Sequence, residues 1–482
     1  MEWIVVFILV LAFSSLFNSK KDSTERSGFV KKDDMKLNKK LNKEKEEIEK
    51  IKLGEEQKIV FERLENSTDN IFITGKAGTG KSVLLKYFKH KSSKRMVVVS
   101  FTGVAALNVG GQTINSLFKI PPQFIKKDSL KVNYRTATLL RNIDAVVIDE
   151  VSMVRADLMD AMDSLLRQAR GNDLPFGGVQ IITFGDLYQL SPIVSDPELH
   201  KYFVANHGGF YFFNAHVSDK DFFKIYELTT NFRQKDKVFK KILNGIRDGS
   251  ITNESLNKLN KRVSTDIPKE GVIFLTTTNQ AVNEINHSRL AELRGKVHKY
   301  KATISGDLSP SAFPTEEILY LKKGAQVMLL RNDREKRWVN GTLGKIHSLS
   351  DNNIKVDIDG FVYSIPQTTW NKIRYYYDSK AKTVEEEVMS SFIQFPLRLA
   401  WAVTVHKSQG QTYNFIAVDM GSGAFAHGQT YVALSRCTSL KGLYLTQKIK
   451  REDIIVDSEV IEFMKRAEIL PIKKRKKFAK IV

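Results

Sequence analysis

The chain has 482 residues, enough for two or three domains with ordinary cores. Its 42 % hydrophobic and 27 % charged residues are those of a globular body rather than a disordered one, and a single cysteine, Cys437, excludes a disulfide framework or a cysteine-based metal site within one chain. Net charge is +21, of which residues 1–52, with 12 Lys+Arg against 9 Asp+Glu, supply only +3, so the excess sits on the body and suits a phosphate backbone.

Trp3 to Phe17 is an almost unbroken apolar run followed by Lys20 and Lys21. Fifteen helical residues span about 22 Å, short of the roughly 30 Å hydrocarbon core. Only Glu2 precedes the run, so a secretion signal, which begins with basic residues, is disfavoured. Two readings stay open for residues 1–18: a short anchor giving weak membrane association with the body facing the cytoplasm, or a start assigned too early, Met35 being the next Met. Residues 19–52 are a Lys/Glu-rich linker with too few apolar positions to bury much.

From Leu53 short apolar strands alternate with helical stretches. Strands are expected at Asn70–Thr74, Met96–Ser100, Ala145–Ile148, Val179–Phe184 and Lys224–Leu228, with helices at Lys81–His90 and Arg155–Arg170. A second set follows, with strands at Val272–Thr277, Asn414–Met420 and Gly442–Leu445 and helices at Gln280–Leu293 and Thr430–Arg436. This alternation predicts an α/β fold with parallel sheets covered on both faces. Thr342–Ile365 differs: Ile354, Val356, Ile358, Phe361, Tyr363 and Ile365 alternate with polar residues, a period of two that predicts a small antiparallel β insertion in the second domain, about 340–395. The chain ends in a basic tail, 471–482.

Gly75-Lys76-Ala77-Gly78-Thr79-Gly80-Lys81-Ser82 matches the phosphate-binding loop in full, between a strand and a helix. Its glycines let backbone N–H groups close around phosphate oxygens, and the helix N-terminus adds its dipole. Lys81 should reach the β and γ phosphates of ATP, and Ser82 should ligate Mg²⁺. Val146-Val147-Ile148-Asp149-Glu150 ends an apolar strand in two carboxylates: Asp149 to hold Mg²⁺, Glu150 to activate the attacking water. Gly185-Asp186-Leu187-Tyr188-Gln189-Leu190 ends another strand, from which Gln189 would sense the γ-phosphate. Arg233, in Glu227–Gln234, and Arg436, in Tyr431–Arg436, are candidates to neutralise charge developing on a transferred phosphoryl group; by position alone an arginine is more often a surface charge, and the surrounding motifs single these two out.

Gln57, the phosphate loop, Ser100–Phe118, Asp149-Glu150, Gly185–Leu190, Arg233, Val405-His406-Lys407-Ser408-Gln409-Gly410 and Val432–Arg436 together resemble the ordered motifs of a superfamily 1 helicase. Leu174-Pro175-Phe176-Gly177-Gly178-Val179-Gln180 makes the resemblance closest to the Pif-type (petite-integration-frequency) family. That resemblance implies two RecA-like domains, 53–235 and 236–470, with ATP between them. It further implies an SH3-like β insertion, a wedge within about 119–139, and an ATP-dependent helicase moving 5′ to 3′ on single-stranded DNA. The expected partners are single-stranded and forked or partial-duplex DNA, bound by a monomer. The expected setting is replication, repair, recombination or telomere maintenance, in bacterial cytoplasm or a eukaryotic nucleus or mitochondrion.

Carried over by residue, the resemblance has Gln57 recognise adenine and Gly75, Ala77, Gly78, Thr79, Gly80 and Gly410 line the nucleotide. Thr102, Val104, His406, Lys407 and Ser408 would grip the DNA backbone. Asn115 stands where the family has His, and Ser191 where it tends to have Pro, so the DNA contact of Asn115 is the least supported of the set.

Overall fold

A computed structural model describes residues 51–472 apart from 122, 126–129, 195, 219–221, 334, 336, 339 and 379. The apolar run at 1–18, the linker up to residue 50 and the basic tail from 473 lie outside the described residues, as does part of the expected wedge. No helix among the described residues is long and apolar enough to cross a membrane.

Each expected strand of the first set forms within a residue or two of its predicted ends. Ile71–Gly75 (β1), Met96–Ser100 (β2), Gln112–Thr113 (β3), Ala145–Asp149 (β4), Gln180–Phe184 (β5) and Lys224–Leu228 (β6) make one parallel sheet in the order β3-β2-β4-β5-β1-β6. Strands β1, β4 and β5 are buried along their whole length, which is why they read as unbroken apolar runs rather than alternating ones. Helix Ala156–Arg170 covers one face with Leu158, Met159, Met162, Leu165 and Leu166, spaced at helical period, and ends at Gly171 in the left-handed conformation.

A second parallel sheet is formed by Ala402–Thr404, Ile273–Thr276, Ile416–Asp419 and Leu443–Leu445, in that order. Helix Asn279–Glu292, N-capped by the Thr278 hydroxyl, leads away from its second strand. Two RecA-like α/β units therefore stand in the chain, with their phosphate loop, carboxylates and motif loops at the C-terminal ends of parallel strands.

Between the second sheet's strands lies antiparallel structure that begins earlier than 340. His298–Lys301 already pairs with Ile318–Leu321, and a five-stranded sheet runs in the order Phe361–Ile365, Asn353–Ile358, Leu343–Ser350, Gln326–Leu329, Leu397–Leu399. Ile354, Val356 and Ile358 point inward, as their alternation requires, into a core shared with Trp338, Ile346 and Phe395. His298–Lys301 escaped notice because its sequence, His-Lys-Tyr-Lys, offers one buried residue, Tyr300.

The long hairpin Thr368–Asp378 with Thr383–Gln394 behaves differently from the rest of the insertion. Trp370, Ile373, Tyr375 and Phe392 belong to the large core that includes the first domain's strands, not to the insertion's own core.

Candidate nucleotide and nucleic-acid site

The phosphate loop follows β1 and opens the helix Lys81–Lys91. Gly80 caps that helix at φ 81°, and a Cβ there would lie 2.5 Å from Nε2 of Gln57. Gly78, at φ 85°, would meet the Cβ of Arg233 at 2.5 Å. Both positions demand glycine twice over, by backbone conformation and by the closeness of functional side chains. Gln57 is buried: its Nε2 donates to the Gly80 carbonyl at 3.0 Å and its Oε1 accepts from Gly54 N–H at 2.9 Å, which places it at the mouth of the loop.

Lys81 Nζ donates to the carbonyls of Gly75 (2.6 Å) and Lys76 (3.3 Å), folding back over the cradle. Burial lowers its pKa, with Asp186 and Glu150 opposing the shift. Ser82 follows it, exposed. Asp149 ends β4 beneath the loop; burial and then the neighbouring Glu150 push its pKa up to about 7. Glu150 sits at φ 53°, a left-handed conformation that costs a non-glycine residue about 1–2 kcal/mol and so marks a position where geometry is imposed. Burial raises its pKa as well, against the pull of Lys81 and Arg436. The buried Asp149, the half-buried Glu150 next to it and the Ser82 hydroxyl are hard-oxygen groups of the kind Mg²⁺ takes.

Residues from the second domain reach this cluster. Gln409 Nε2 donates to Glu150 Oε2 at 3.1 Å, and Ala77 N–H donates to the hydroxyl of Tyr431 at 3.0 Å. Arg233 donates to the carbonyls of Ser435 and Gly410, both at 3.3 Å. Burial and then Arg436 bring the Arg233 pKa down to about 9. Arg436 is fully buried, its Nε donating to Val432 O at 3.0 Å and its terminal nitrogens facing the Ser408 and Gln411 carbonyls and the Ser435 hydroxyl. Two guanidiniums near one another, held by neutral carbonyls, create a positive field that an anion between the domains would neutralise.

Gln189 is buried and donates to Asp186 Oδ2 at 3.1 Å, so it is tied to the strand end beside the loop. Asp186 is the hub. It also accepts from Arg247 at 3.1 Å, and Arg247 lies 4.1 Å over the Tyr188 ring. Arg247 was not singled out from the sequence, although it continues the Phe239, Ile242, Leu243, Ile246 stripe of helix Lys237–Arg247, and a charge on a buried stripe is a legible signal. Tyr431 and Gln409 lay inside recognised motifs without a role.

Of the residues expected to contact DNA, Thr102 N-caps helix Gly103–Val109 by accepting from Ala105 N–H at 3.2 Å, and Val104 is exposed beside it. His406 is half-buried, and burial lowers its pKa; Lys407 is exposed. Two expected contacts have other engagements. Ser408 is fully buried, its hydroxyl donating to Val405 O at 2.7 Å, because it closes the turn after strand Ala402–Thr404. Asn115 spends its amide donors on the carbonyls of Ile120 (3.1 Å) and Pro121 (3.3 Å), bracing the turn that follows its own helix.

A family model described as PIF1-like helicase matches residues 52–257, and a second, the 2B domain of DNA helicase Pif1, matches 307–349. The ATP-dependent DNA helicase Pif1 of Bdellovibrio bacteriovorus is 32% identical over 435 residues, covering 87% of this chain and 93% of that relative. The chain belongs to the Pif1-like helicase family. The human ATP-dependent DNA helicase PIF1 is 33% identical over 82% of this chain, which spans 60% of that longer relative. Among solved structures, Bacteroides Pif1 in complex with ADP-AlF4 matches with TM-score 0.80 at 36% identity, covering 86% of this chain and 97% of the other. Bacteroides Pif1 bound to ssDNA, at 37% identity and the same coverage, gives 0.62. Identity and coverage are nearly the same in the two comparisons; the scores differ in how well the matched residues superpose.

In this Pif1-like chain the placement of the hairpin has a specific content. The Tyr375 hydroxyl accepts from Val98 N–H at 3.4 Å, Tyr375 N–H donates to Gln112 Oε1 at 3.0 Å, and Glu386 pairs with Lys89 at 2.9 Å. The hairpin is thereby docked on the first domain's β3 edge. The turn Pro310–Ala312 lies against Gly103, where a Cβ would stand 3.0 Å from that of Ala312. The insertion thus covers part of the segment expected to grip DNA.

Proposed function

We propose that this member of the Pif1-like family couples ATP hydrolysis to 5′-to-3′ movement along single-stranded DNA and to unwinding of forked or partial-duplex DNA. The observation that carries the reading is convergence from both domains: Tyr431 on the phosphate loop, Gln409 on Glu150, and Arg233 against the carbonyls of Ser435 and Gly410. A nucleotide in the cleft would be read by groups on both sides, so binding and release change the spacing of the domains.

Asp149 and Ser82 would hold Mg²⁺, which supplies charge neutralisation on the phosphates. Lys81 would exchange its two carbonyls for phosphate oxygens. Glu150 would accept a proton from the attacking water, and Arg233 and Arg436 would stabilise the charge that develops. Lys407 and Thr102, on opposite domains, would hold successive phosphates, giving grip without sequence preference. Release of the docked insertion, with its turn Pro310–Ala312, would clear the Gly103 segment for the strand.

Unwinding of two partial duplexes, one with a 5′ and one with a 3′ single-stranded tail, tests the reading in ATP and Mg²⁺. Opening of the 5′-tailed substrate alone is expected. Opening of the 3′-tailed one alone would overturn the polarity, and DNA-stimulated ATP hydrolysis without opening of either would make the chain a translocase that does not unwind.

A further inference from the structure

Away from the nucleotide cleft, Asp160, His207 and His216 bring one carboxylate and two imidazoles together, with one ligand atom from each lying within 4.8 Å of the others. Asp160 is on the second turn of the helix Ala156–Arg170 that follows Asp149-Glu150; His207 ends helix Pro197–His207; His216 follows the turn Phe212–Asn214. Both rings address one oxygen: Asp160 Oδ2 is 3.2 Å from His207 Nε2 and 2.8 Å from His216 Nδ1. The ring centroids are 4.3 Å apart.

Proton bookkeeping at His216 carries the argument. Its Nε2 lies 3.0 Å from the Asn206 carbonyl, which can only accept, so Nε2 bears the hydrogen. A neutral His216 therefore turns a bare Nδ1 lone pair toward a carboxylate oxygen 2.8 Å away, a contact that needs a positive centre between the two atoms. That centre is either a second proton or a metal ion. His207 presents Nε2 to the same oxygen, and its Nδ1 has no hydrogen-bond partner among the described residues.

The surroundings are those of a supported site. The carbonyl on His216 Nε2 fixes the tautomer, and Val217 N–H donates to the other Asp160 oxygen at 3.2 Å, fixing the carboxylate. Four-coordinate zinc, with bonds of about 2.0–2.1 Å, places its ligand atoms roughly 3.3 Å apart; the two Asp160–imidazole separations are 3.2 and 2.8 Å, and the two ring nitrogens lie within 4.8 Å of each other. Side-chain exposure is 5% at His207, 14% at Asp160 and 47% at His216, which leaves an entry path and room for water at the fourth position.

We propose that Asp160, His207 and His216 bind one divalent transition-metal ion, zinc by the chemistry of the set. The ion staples the segment 197–217 onto the helix behind the ATP-site carboxylates. This assignment is independent of the helicase reading.

The test uses the tag-free full chain, stripped with chelator and kept in saturating MgATP so that Asp149 is occupied. Zinc is titrated with melting as readout, and Co²⁺ is added separately for its visible bands. One equivalent of zinc should bind and raise Tm by several degrees, and Co²⁺ should show the intense bands of a four-coordinate site. His216→Ala, at a half-exposed position, should weaken binding at least ~10-fold and abolish the Co²⁺ bands, while DNA-stimulated ATP turnover stays at the parent level. Asp160→Asn gives the second variant. Equal zinc affinity in the parent and His216→Ala would overturn the proposal. So would a parent chain that yields only six-coordinate Co²⁺ spectra or binds no zinc, either of which assigns the cluster to protons alone.

Discussion

Replacing Arg247 with Met tests whether the Asp186 hub is held by charge pairing. Asp186 is fully buried, and Arg247 approaches it to 3.1 Å while lying 4.1 Å over Tyr188. Methionine keeps much of the volume and removes the charge. Breaking a buried pair by removing one partner costs about 3–5 kcal/mol, and the lost stacking on Tyr188 adds about 0.5–2 kcal/mol. Lys81 and Lys76 lie within electrostatic range of Asp186 and offset part of this, so a net loss of about 3–5 kcal/mol is expected. At ~2–4 °C per kcal/mol for a domain of this size, Tm should drop by roughly 10 °C.

The pH dependence supplies the sign. In the parent, burial works to raise the Asp186 pKa, but Arg247 and then Lys81 outweigh it and hold the carboxyl below its ordinary value. Its contribution to stability is therefore fully present above the unfolded-state value of about 3.9 and is lost only as pH falls through the lower folded value. Without Arg247 burial dominates, the folded value rises above the unfolded one, and protonation favours the fold. The gap between parent and variant, followed by thermal melting, should narrow as pH falls from 8 to 5. An Asp186→Asn/Arg247→Met double variant should recover most of the loss at pH 8. A single variant within about 1 kcal/mol of the parent, or a gap that widens on acidification, would refute the reasoning.

Arg436→Ala should retain nucleotide binding but lose about 10³-fold in phosphate release, since the guanidinium acts on developing charge; equal loss of binding by fluorescent-nucleotide titration would make its role structural. Glu386→Ala removes the pair with Lys89 that helps dock the hairpin, and single-stranded DNA affinity, read by fluorescence anisotropy, should rise about 2–5-fold, the effect of a partly exposed ion pair. A fall in affinity would show that the docked hairpin assists binding. Lys407→Ala should weaken single-stranded DNA binding and flatten the plot of log affinity against log salt by about 0.7. An unchanged slope would remove Lys407 from the DNA path.

Much of the chain's chemistry was legible because it is local. The phosphate loop needs consecutive glycines and Lys81 on one turn, and β4 needs four apolar residues before Asp149, so periodicity and motif spacing alone place them at the edge of a parallel sheet. The alternation of Ile354, Val356 and Ile358 likewise specified a half-buried strand. Expectations weakened where a polar side chain can be satisfied within its own turn. Ser408 and Asn115 carry groups suited to phosphate, yet both spend them on nearby carbonyls, which depends on how each turn closes.

By itself, then, the sequence determined the two α/β units, the nucleotide cradle and its carboxylates, because backbone conformation and burial are set within a few residues of each motif. Only the tertiary structure decided what those motifs touch. It brought Tyr431 onto Ala77 and Gln409 onto Glu150 across more than 250 residues, closed Arg247 on Asp186, and set the hairpin's Tyr375 against Val98 and Gln112 of the first domain. The physical reason is that hydrophobic burial is non-directional: an apolar run in the sequence announces that it will be covered, and only the packed chain settles by what.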